Sequence, residues 1–228
     1  MPDNILVVDI GGTHVKLMRK GAEPLKFDSG SKMHPDKFVT ELKKYTAAWD
    51  YDRISIGFPS PVRNGRVVKE PKHLGQGWIG FDFAGSLGKR VRVINDAAMQ
   101  ALGSYHGGRM LFLGLGTGLG SALAFEGMLF PLELGDLPYR DRDLIENFLG
   151  IPGIERLGEE EWKREVLFAV KQLKLALIAD YVVLGGGLIH HFGDELPEGI
   201  ERGKNENAFI GGLRLWETEK GEPSWRIF

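Results

Sequence analysis

The chain has 228 residues, of which 43% are hydrophobic and 26% are charged, and its formal net charge is −2. These values are typical of a globular protein with one large or two modest domains, and the lack of a basic excess argues against general nucleic-acid binding. The chain contains no cysteine, which excludes disulfides and thiolate metal sites. Because no apolar run reaches the about 20 residues needed to cross a bilayer and no secretory signal is visible, we expect a cytoplasmic protein without membrane contacts.

The first pattern that indicates chemistry is the stretch from Asp9 to Lys16, DIGGTHVK, which follows an apolar run from Ile5 to Val8. The pattern predicts a buried strand, a tight glycine turn and a second strand. Glycines allow the backbone to approach a bulky anion, and successive N–H groups in such a turn form an anion-binding concavity. Asp9 could hold Mg²⁺ through its waters, while the alternative is an ordinary hairpin with a capping aspartate.

A second stretch repeats this order of features. The apolar run Met110 to Leu113 leads into GLGTGLGS, from Gly114 to Ser121, and an apolar segment follows. The glycine spacing resembles a dinucleotide fingerprint, but no helical pattern follows it, so we reject that interpretation. Two similar hairpins in one chain favour phosphate binding more strongly than either does alone.

Further elements can be placed between and after these hairpins. Apolar periodicity predicts helices over about 34–49 and 159–179, a small-residue helix over 207–216, and strands over 53–57, 91–94 and 181–184. The predicted strand over 91–94 ends at Asn95 and Asp96, which either cap the following helix or supply chemistry at the carboxyl end of a strand. The adjacent histidines at 190 and 191 are not expected to bind a metal, because no carboxylate cluster accompanies them.

Two other features allow a structural and a functional interpretation. Trp78 lies in a glycine-rich loop and either fills the core or contacts a ligand. Glu133 and Asp136 stand three residues apart in an apolar segment, as exposed loop charges or as site residues.

Taken together, these blocks resemble the ROK sugar-kinase family of the actin/hexokinase-like superfamily, and within it the polyphosphate glucokinases. The resemblance covers nearly the whole chain in family order, through residues 9–16, 59–65, 78–80, 95–96, 114–121, 133–135, 184–187 and 207–212. It implies an α/β fold with two RNase H-like lobes and an interlobe active-site cleft. The first lobe would consist of residues 1–95, with residues 207–228 returning to it. The second lobe would consist of residues 96–206.

The resemblance also implies roles for individual residues. Asp96 would be the general base that takes the proton from the sugar 6-hydroxyl, and Asp9 would position Mg²⁺. The residues that would bind the sugar are Ser60, Trp78, Gly80, Asn95, Asp96, Glu133 and Asp136. Those that would lie against the phosphates or the rest of the donor are Gly11, Gly12, Thr13, Lys16, Gly116, Thr117, Gly118, Gly185, Gly186 and Gly187.

The sequence departs from the family pattern at two points. Asp136 stands where family members usually have a sugar-contacting histidine, which leaves the identity of the sugar open. The zinc-binding cysteine and histidine cluster of many members is absent, so no zinc is expected. If polyphosphate is the donor, a basic track is required, and its candidates are Lys16, Lys171, Lys174, Arg202 and Lys204.

The sequence therefore predicts a Mg²⁺-dependent hexose kinase that phosphorylates glucose or a similar sugar from polyphosphate or ATP. The alternatives are a kinase for another sugar, such as fructose or an amino sugar, and a non-catalytic sugar sensor. Regulators of this family carry a helix-turn-helix domain ahead of the first glycine block, which begins here at residue 9, so no nucleic-acid partner is expected. Family members commonly form dimers, and a homodimer is expected here.

Overall fold

The computed structural model describes residues 4–193, 195–204, 206–219 and 222–228. Two mixed β-sheets form its centre. The first sheet consists of β1 (Ile5–Ile10), β2 (His14–Arg19), β3 (Leu25–Asp28), β4 (Arg53–Phe58) and β7 (Arg90–Asn95) in the order β3-β2-β1-β4-β7. The second consists of β8 (Met110–Leu115), β9 (Leu119–Phe125), β10 (Met128–Leu132), β11 (Tyr181–Gly185), β12 (Ile200–Arg202) and β15 (Arg226–Ile227) in the order β12-β11-β8-β9-β10-β15.

The two sheets share one topology. In the first sheet an antiparallel meander, β1 to β3, is followed by β4 and β7, which run parallel to β1. In the second, β8 to β10 form the meander, and β11 and β12 run parallel to β8. This internal repeat explains why the two glycine hairpins of the sequence look alike, since each joins the first two strands of its sheet.

Helices cover the sheets and fill the space between them. They are α1 (Pro35–Tyr45), α2 (Phe83–Leu87), α3 (Asp96–Ser104), α4 (Glu146–Leu149), α5 (Ile151–Leu157), α6 (Glu159–Ala176) and α7 (Asn207–Arg214). Two small hairpins pair β5 (Val62–Arg63) with β6 (Arg66–Val67) and β13 (Thr218–Glu219) with β14 (Glu222–Pro223). None of the helices in the described ranges is long and apolar enough to cross a membrane.

Alternating side chains of the strands enter separate cores, as a period of two requires. Leu6 and Val8 of β1 pack with Phe38 of α1, whereas Ile5 and Val7 enter a central core with α3, α7 and the second sheet. A third core lies between the second sheet and α4 to α6. Helices α3 and α7 therefore form a layer between the two sheets.

The predicted elements are present, with shifts at their ends. The helix expected over 34–49 ends at Tyr45, the one expected over 159–179 ends at Ala176, and the one expected over 207–216 ends at Arg214. The predicted strands extend by one or two residues at their ends. The end of the chain contacts both sheets, because α7 packs on β1 and β4 whereas β15 pairs with β10.

Candidate active site

A cleft of about 260 Å³ lies between the two sheets. Its first-sheet wall consists of Gly12 and two loop segments, and its second-sheet wall contains the turn between β8 and β9. The lining residues are Gly12, Pro59–Pro61, Lys69, Glu70, Lys72, His73, Asn95–Ala97, Gln100, Gly114, Gly116–Gly120, Glu133, Glu146 and Gly186. Half of the sequence-predicted site residues are therefore brought together here, namely Gly12, Ser60, Asn95, Asp96, Gly116, Thr117, Gly118, Glu133 and Gly186.

The junction of β7 and α3 places two polar side chains in the cleft. Parallel β1, β4 and β7 end at the same edge of the first sheet, where open α/β sheets bind ligands. Asn95 caps α3, since its Oδ1 accepts a hydrogen bond from the N–H of Ala98 at 3.1 Å. The amide nitrogen of Asn95 is the group that remains to donate to a ligand. Asp96 Oδ1 accepts from the N–H of Ala97 at 2.8 Å.

Asp96 has the titration properties of a base that works near neutral pH. Burial raises the pKa of Asp96 to about 7, the charges of Asp9 and Glu133 add to this effect, and the Ala97 N–H opposes it. Burial also raises the pKa of Asp9, while Lys16, its cross-strand neighbour, lowers it. Two buried carboxyls with raised pKa values at one strand edge are typical of a functional site.

Residues of both glycine turns line the cleft together with Asp96. The Gly11 N–H donates to the His14 carbonyl at 2.9 Å and the Gly116 N–H donates to the Gly118 carbonyl at 3.1 Å, so these two donors are used within the turns. The hydroxyl of Ser29 donates to the Gly11 carbonyl at 2.6 Å and stiffens the first turn. Gly12, Thr117 and Gly118 are the turn residues left to present N–H groups to an anion in the cleft.

The glycines after β11 differ from one another. Gly186 lines the cleft with φ of +85°, and a Cβ at this position would overlap the backbone of Leu115. Gly185 ends β11 and packs on Phe112, and Gly187 begins a short 3-10 helix. Only Gly186 of the three lines the cleft, and its place there requires glycine.

Charged side chains meet across the cleft. Lys69 and Lys72, from the loop after β6, form ion pairs with Asp136 at 3.4 and 3.5 Å, and Lys72 forms a second one with Glu146 at 2.5 Å. Burial raises the pKa of Glu133, Asp136 adds to this effect, and the two lysines oppose it. Although burial alone would raise the pKa of Asp136, Lys72 and Lys69 together bring it below its usual range.

Sequence reasoning missed Lys69, Lys72 and Glu146. The basic and acidic stretch that ends at Glu146 is typical of a solvated surface, and the two lysines carry no motif. Their partners lie 64 to 74 residues away along the chain, so no local pattern reveals them.

The loop around Trp78 is held by a carboxylate and by the core. Glu70 accepts hydrogen bonds from the N–H groups of Gly77, Trp78 and Ile79 at 3.2 to 3.3 Å. The indole of Trp78 is fully buried, with its ring 5.0 Å from that of Phe58, and it does not line the cleft. The structure thus matches the core-filling interpretation of Trp78. Gly80 lies at another surface pocket, beside Asp82.

Other predicted residues lie outside the cleft lining. Thr13 and Lys16 are exposed on the first hairpin, and Lys171 is exposed on α6. Arg202 donates to the carbonyls of Ile189, Phe192 and Gly193, which commits it to the loop after β11. None of the candidates for the basic track, which also include Lys174 and Lys204, lines the cleft. Among the described residues, the cationic side chains that line it are Lys69 and Lys72, with His73 beside them.

Within the described residues, no group of three or more His, Asp or Glu side chains is arranged to hold a metal ion. His191 instead pairs with Glu159 at 3.0 Å. Asp9 fits a different kind of site. A single buried carboxylate beside a phosphate-type turn suits Mg²⁺, which keeps several waters and binds substrate phosphates.

No protein-family model matches the chain. In sequence it is 24% identical over 151 residues to a polyphosphate glucokinase of Mycobacterium tuberculosis, in a match that covers 59% of this chain and 56% of the relative. The chain thus spans about half the length of the curated relatives it matches.

Solved structures resemble the chain over most of its length. An inorganic polyphosphate/ATP-glucomannokinase from Arthrobacter sp. strain KM aligns with a TM-score of 0.78 and 23% identity over 91% of this chain and 96% of the other. A ROK-family glucokinase from Streptomyces griseus aligns with a TM-score of 0.67 and 16% identity over 92% and 98% of the two chains. The chain therefore has the two-lobed, hexokinase-like α/β fold of the ROK-family sugar kinases.

Proposed function

We propose that this protein is a Mg²⁺-dependent hexose kinase that transfers a terminal phosphoryl group to the 6-hydroxyl of glucose or a similar sugar. The observation that carries the proposal is Asp96, a largely buried carboxyl with a pKa of about 7, which lines the cleft between two glycine turns. A general base is most effective when its pKa is close to the working pH. The named relatives add support, since one is a polyphosphate glucokinase and another is an inorganic polyphosphate/ATP-glucomannokinase.

In this mechanism Asp96 accepts the hydroxyl proton as the sugar oxygen bonds to phosphorus. The bond from phosphorus to the leaving phosphate oxygen breaks, and that oxygen keeps the electron pair. Mg²⁺, positioned by Asp9, would offset phosphate charge when bound. The N–H groups of Gly12, Thr117 and Gly118 bind the phosphate oxygens, where they replace water as hydrogen-bond donors.

The sugar would bind on the Glu133 side of Asp96. The amide of Asn95 donates to a hydroxyl, while the carboxylates of Glu133 and Glu146 accept from others. Ser60 donates its own hydroxyl to the Lys69 carbonyl at 2.5 Å, so toward the sugar it acts as an acceptor. In this proposal the indole of Trp78 supports the wall from behind.

The donor is polyphosphate, ATP or both. A polyphosphate donor is favoured by the relatives, of which one is a polyphosphate glucokinase and another a polyphosphate/ATP-glucomannokinase. Gly186 would lie beside the donor, because it lines the same cleft as the second glycine turn. In this proposal the boundary between the two lobes lies between residues 95 and 96. The homodimer and the cytoplasmic location stay predictions.

The test is phosphoryl transfer to glucose, fructose and glucosamine with Mg²⁺, with polyphosphate and ATP as parallel donors. We expect turnover with at least one donor, and Asp96→Asn should lower kcat roughly 100-fold or more because the proton loses its acceptor. A matched control is Asp50→Asn, an exposed aspartate outside the cleft. Turnover retained in Asp96→Asn would contradict the role of this base. Sugar binding without turnover in the wild type would favour the sugar sensor.

A further inference from the structure

An unbroken chain of ion pairs links the two walls of the cleft. Lys69 binds Asp136, Asp136 binds Lys72, and Lys72 binds Glu146 at 2.5 Å. The lysines lie in the loop between β6 and α2, in the segment of chain that connects β4 and β7 of the first sheet. The carboxylates follow β10 of the second sheet. The contacts therefore join segments that the two lobes supply separately.

The Asp136 end of this chain borders the proposed sugar subsite. Asp136 lies in the 3-10 turn that Glu133 begins, and its N–H donates to the Glu133 carbonyl at 3.1 Å. Asp136 and Glu146 both disfavour the charge of Glu133, and Lys69 and Lys72 both favour it. Without the lysines, the carboxylates of Glu133, Asp136 and Glu146 would lie near one another in a partly buried space. The repulsion between these like charges would disfavour their ionised forms.

The Glu146 end borders the proposed donor turn. One carboxylate oxygen of Glu146 accepts from Lys72, and the other lies against Gly118, so close that a Cβ there would overlap it. The same oxygen lies 3.3 Å from the position that a Cβ of Gly135 would take. Only 19% of the Glu146 side chain is exposed, and Lys72 holds this carboxylate against the backbone of Gly118 and Gly135.

We infer that Lys69 and Lys72 are positioning residues for the acceptor sugar, which they serve by neutralising Asp136, by holding Glu146 in place and by favouring the charged form of Glu133. This inference rests on the proposed function. It also names the acceptor class. Because both lysines are already engaged by carboxylates, an acidic sugar finds, among the described residues of this part of the cleft, no lysine without an anionic partner. A sugar without an anionic substituent is the acceptor that fits.

The test is a double-mutant cycle of Lys69→Met and Asp136→Asn, with the KM for glucose, kcat and a calorimetric Kd measured for each variant. Lys69→Met should raise KM and Kd about fivefold, the effect of a partly exposed ion pair, and leave kcat nearly unchanged. In the Asp136→Asn background the same change should alter KM by less than about twofold, since the carboxylate with which Lys69 forms its ion pair is gone and only its weaker effect on Glu133 remains. A packing role for Lys69 would give the same effect in both backgrounds and would overturn the inference.

Lys72 provides a second comparison. Lys72→Met should raise KM about tenfold, since it breaks the contacts with Asp136 and Glu146, and Lys72→Arg should retain most of the affinity because the charge remains. Lys37→Met, an exposed lysine of α1, is the control.

A glucuronic acid competitor should bind much more weakly than glucose, and equal affinity would overturn the assignment of acceptor class. A wild type that neither binds nor phosphorylates any hexose refutes the proposed function as well, whereas normal turnover with an unchanged KM in Lys69→Met and Lys72→Met overturns only this inference.

Discussion

At the residue scale, Asp96 couples the proposed chemistry to a stability cost. Its pKa is 3.8 in a free side chain and about 7 in the folded protein, so the folded state holds the proton more tightly than the unfolded state. The resulting loss of folding free energy is absent below pH 3.8 and grows as the pH rises from 3.8 to about 7. It is complete above a pH of about 7. The carboxylates of Asp9 and Glu133 contribute to it.

Asp96→Asn removes this loss of folding free energy. We expect the variant to exceed the wild type in Tm by at least about 2–4 °C at pH 8, the shift that ~1 kcal/mol causes in a chain of this size, and by much less at pH 4. Thermal unfolding at the two pH values measures the difference, with Asp50→Asn as the control. A difference that shrinks from pH 4 to pH 8 would contradict a raised pKa for Asp96.

At the element scale, the loop after β11 depends on a single backbone position. Gly186 has φ of +85° and ψ of 175°, a conformation that only glycine adopts readily, and a Cβ there would overlap the backbone of Leu115 at the end of β8. Because β8 leads into the second glycine turn, a shift of Leu115 would move Gly116 to Gly118. We expect Gly186→Ala to lower the free energy of unfolding by about 1–3 kcal/mol and to raise the KM for the phosphoryl donor more than that for the sugar. Gly193→Ala is the matched control for stability, since its Cβ would have open space around it. Urea denaturation and donor-dependent kinetics measure the two effects. An equal rise in both KM values would mean that the loop does not act on the donor side.

At the scale of the whole molecule, the features that could be predicted from the sequence are those that lie next to a recognisable strand pattern. Both glycine hairpins, Asn95 and Asp96 stand directly beside apolar strands, so their shared position at sheet edges follows from local periodicity and from the family resemblance. The ion pairs of Lys69 and Lys72 could not be found in this way, because they depend on how two loops meet after the lobes assemble. The indole of Trp78 was ambiguous for a related reason, since a glycine-rich loop does not tell whether its aromatic side chain points to the core or to a ligand.

The layer between the sheets should make the two lobes unfold together. Gly211 of α7 lies so close to the Met99 carbonyl of α3 that a Cβ would overlap it, and Gly212 contacts Val7 of β1 in the same way. Helix α3 in turn packs on β8 and β9, so one close-packed layer connects both sheets. We expect Gly211→Ala to destabilise the protein by about 1–3 kcal/mol, the usual cost of overpacking. Hydrogen exchange at increasing urea concentration should show that peptides from β4 and from β11 lose protection at one common midpoint, which moves by the same amount in the variant. Gly193→Ala should leave that midpoint in place. Separate midpoints for the two peptides, or a shift confined to one of them, would mean that the sheets fold independently and that α3 and α7 belong energetically to only one lobe.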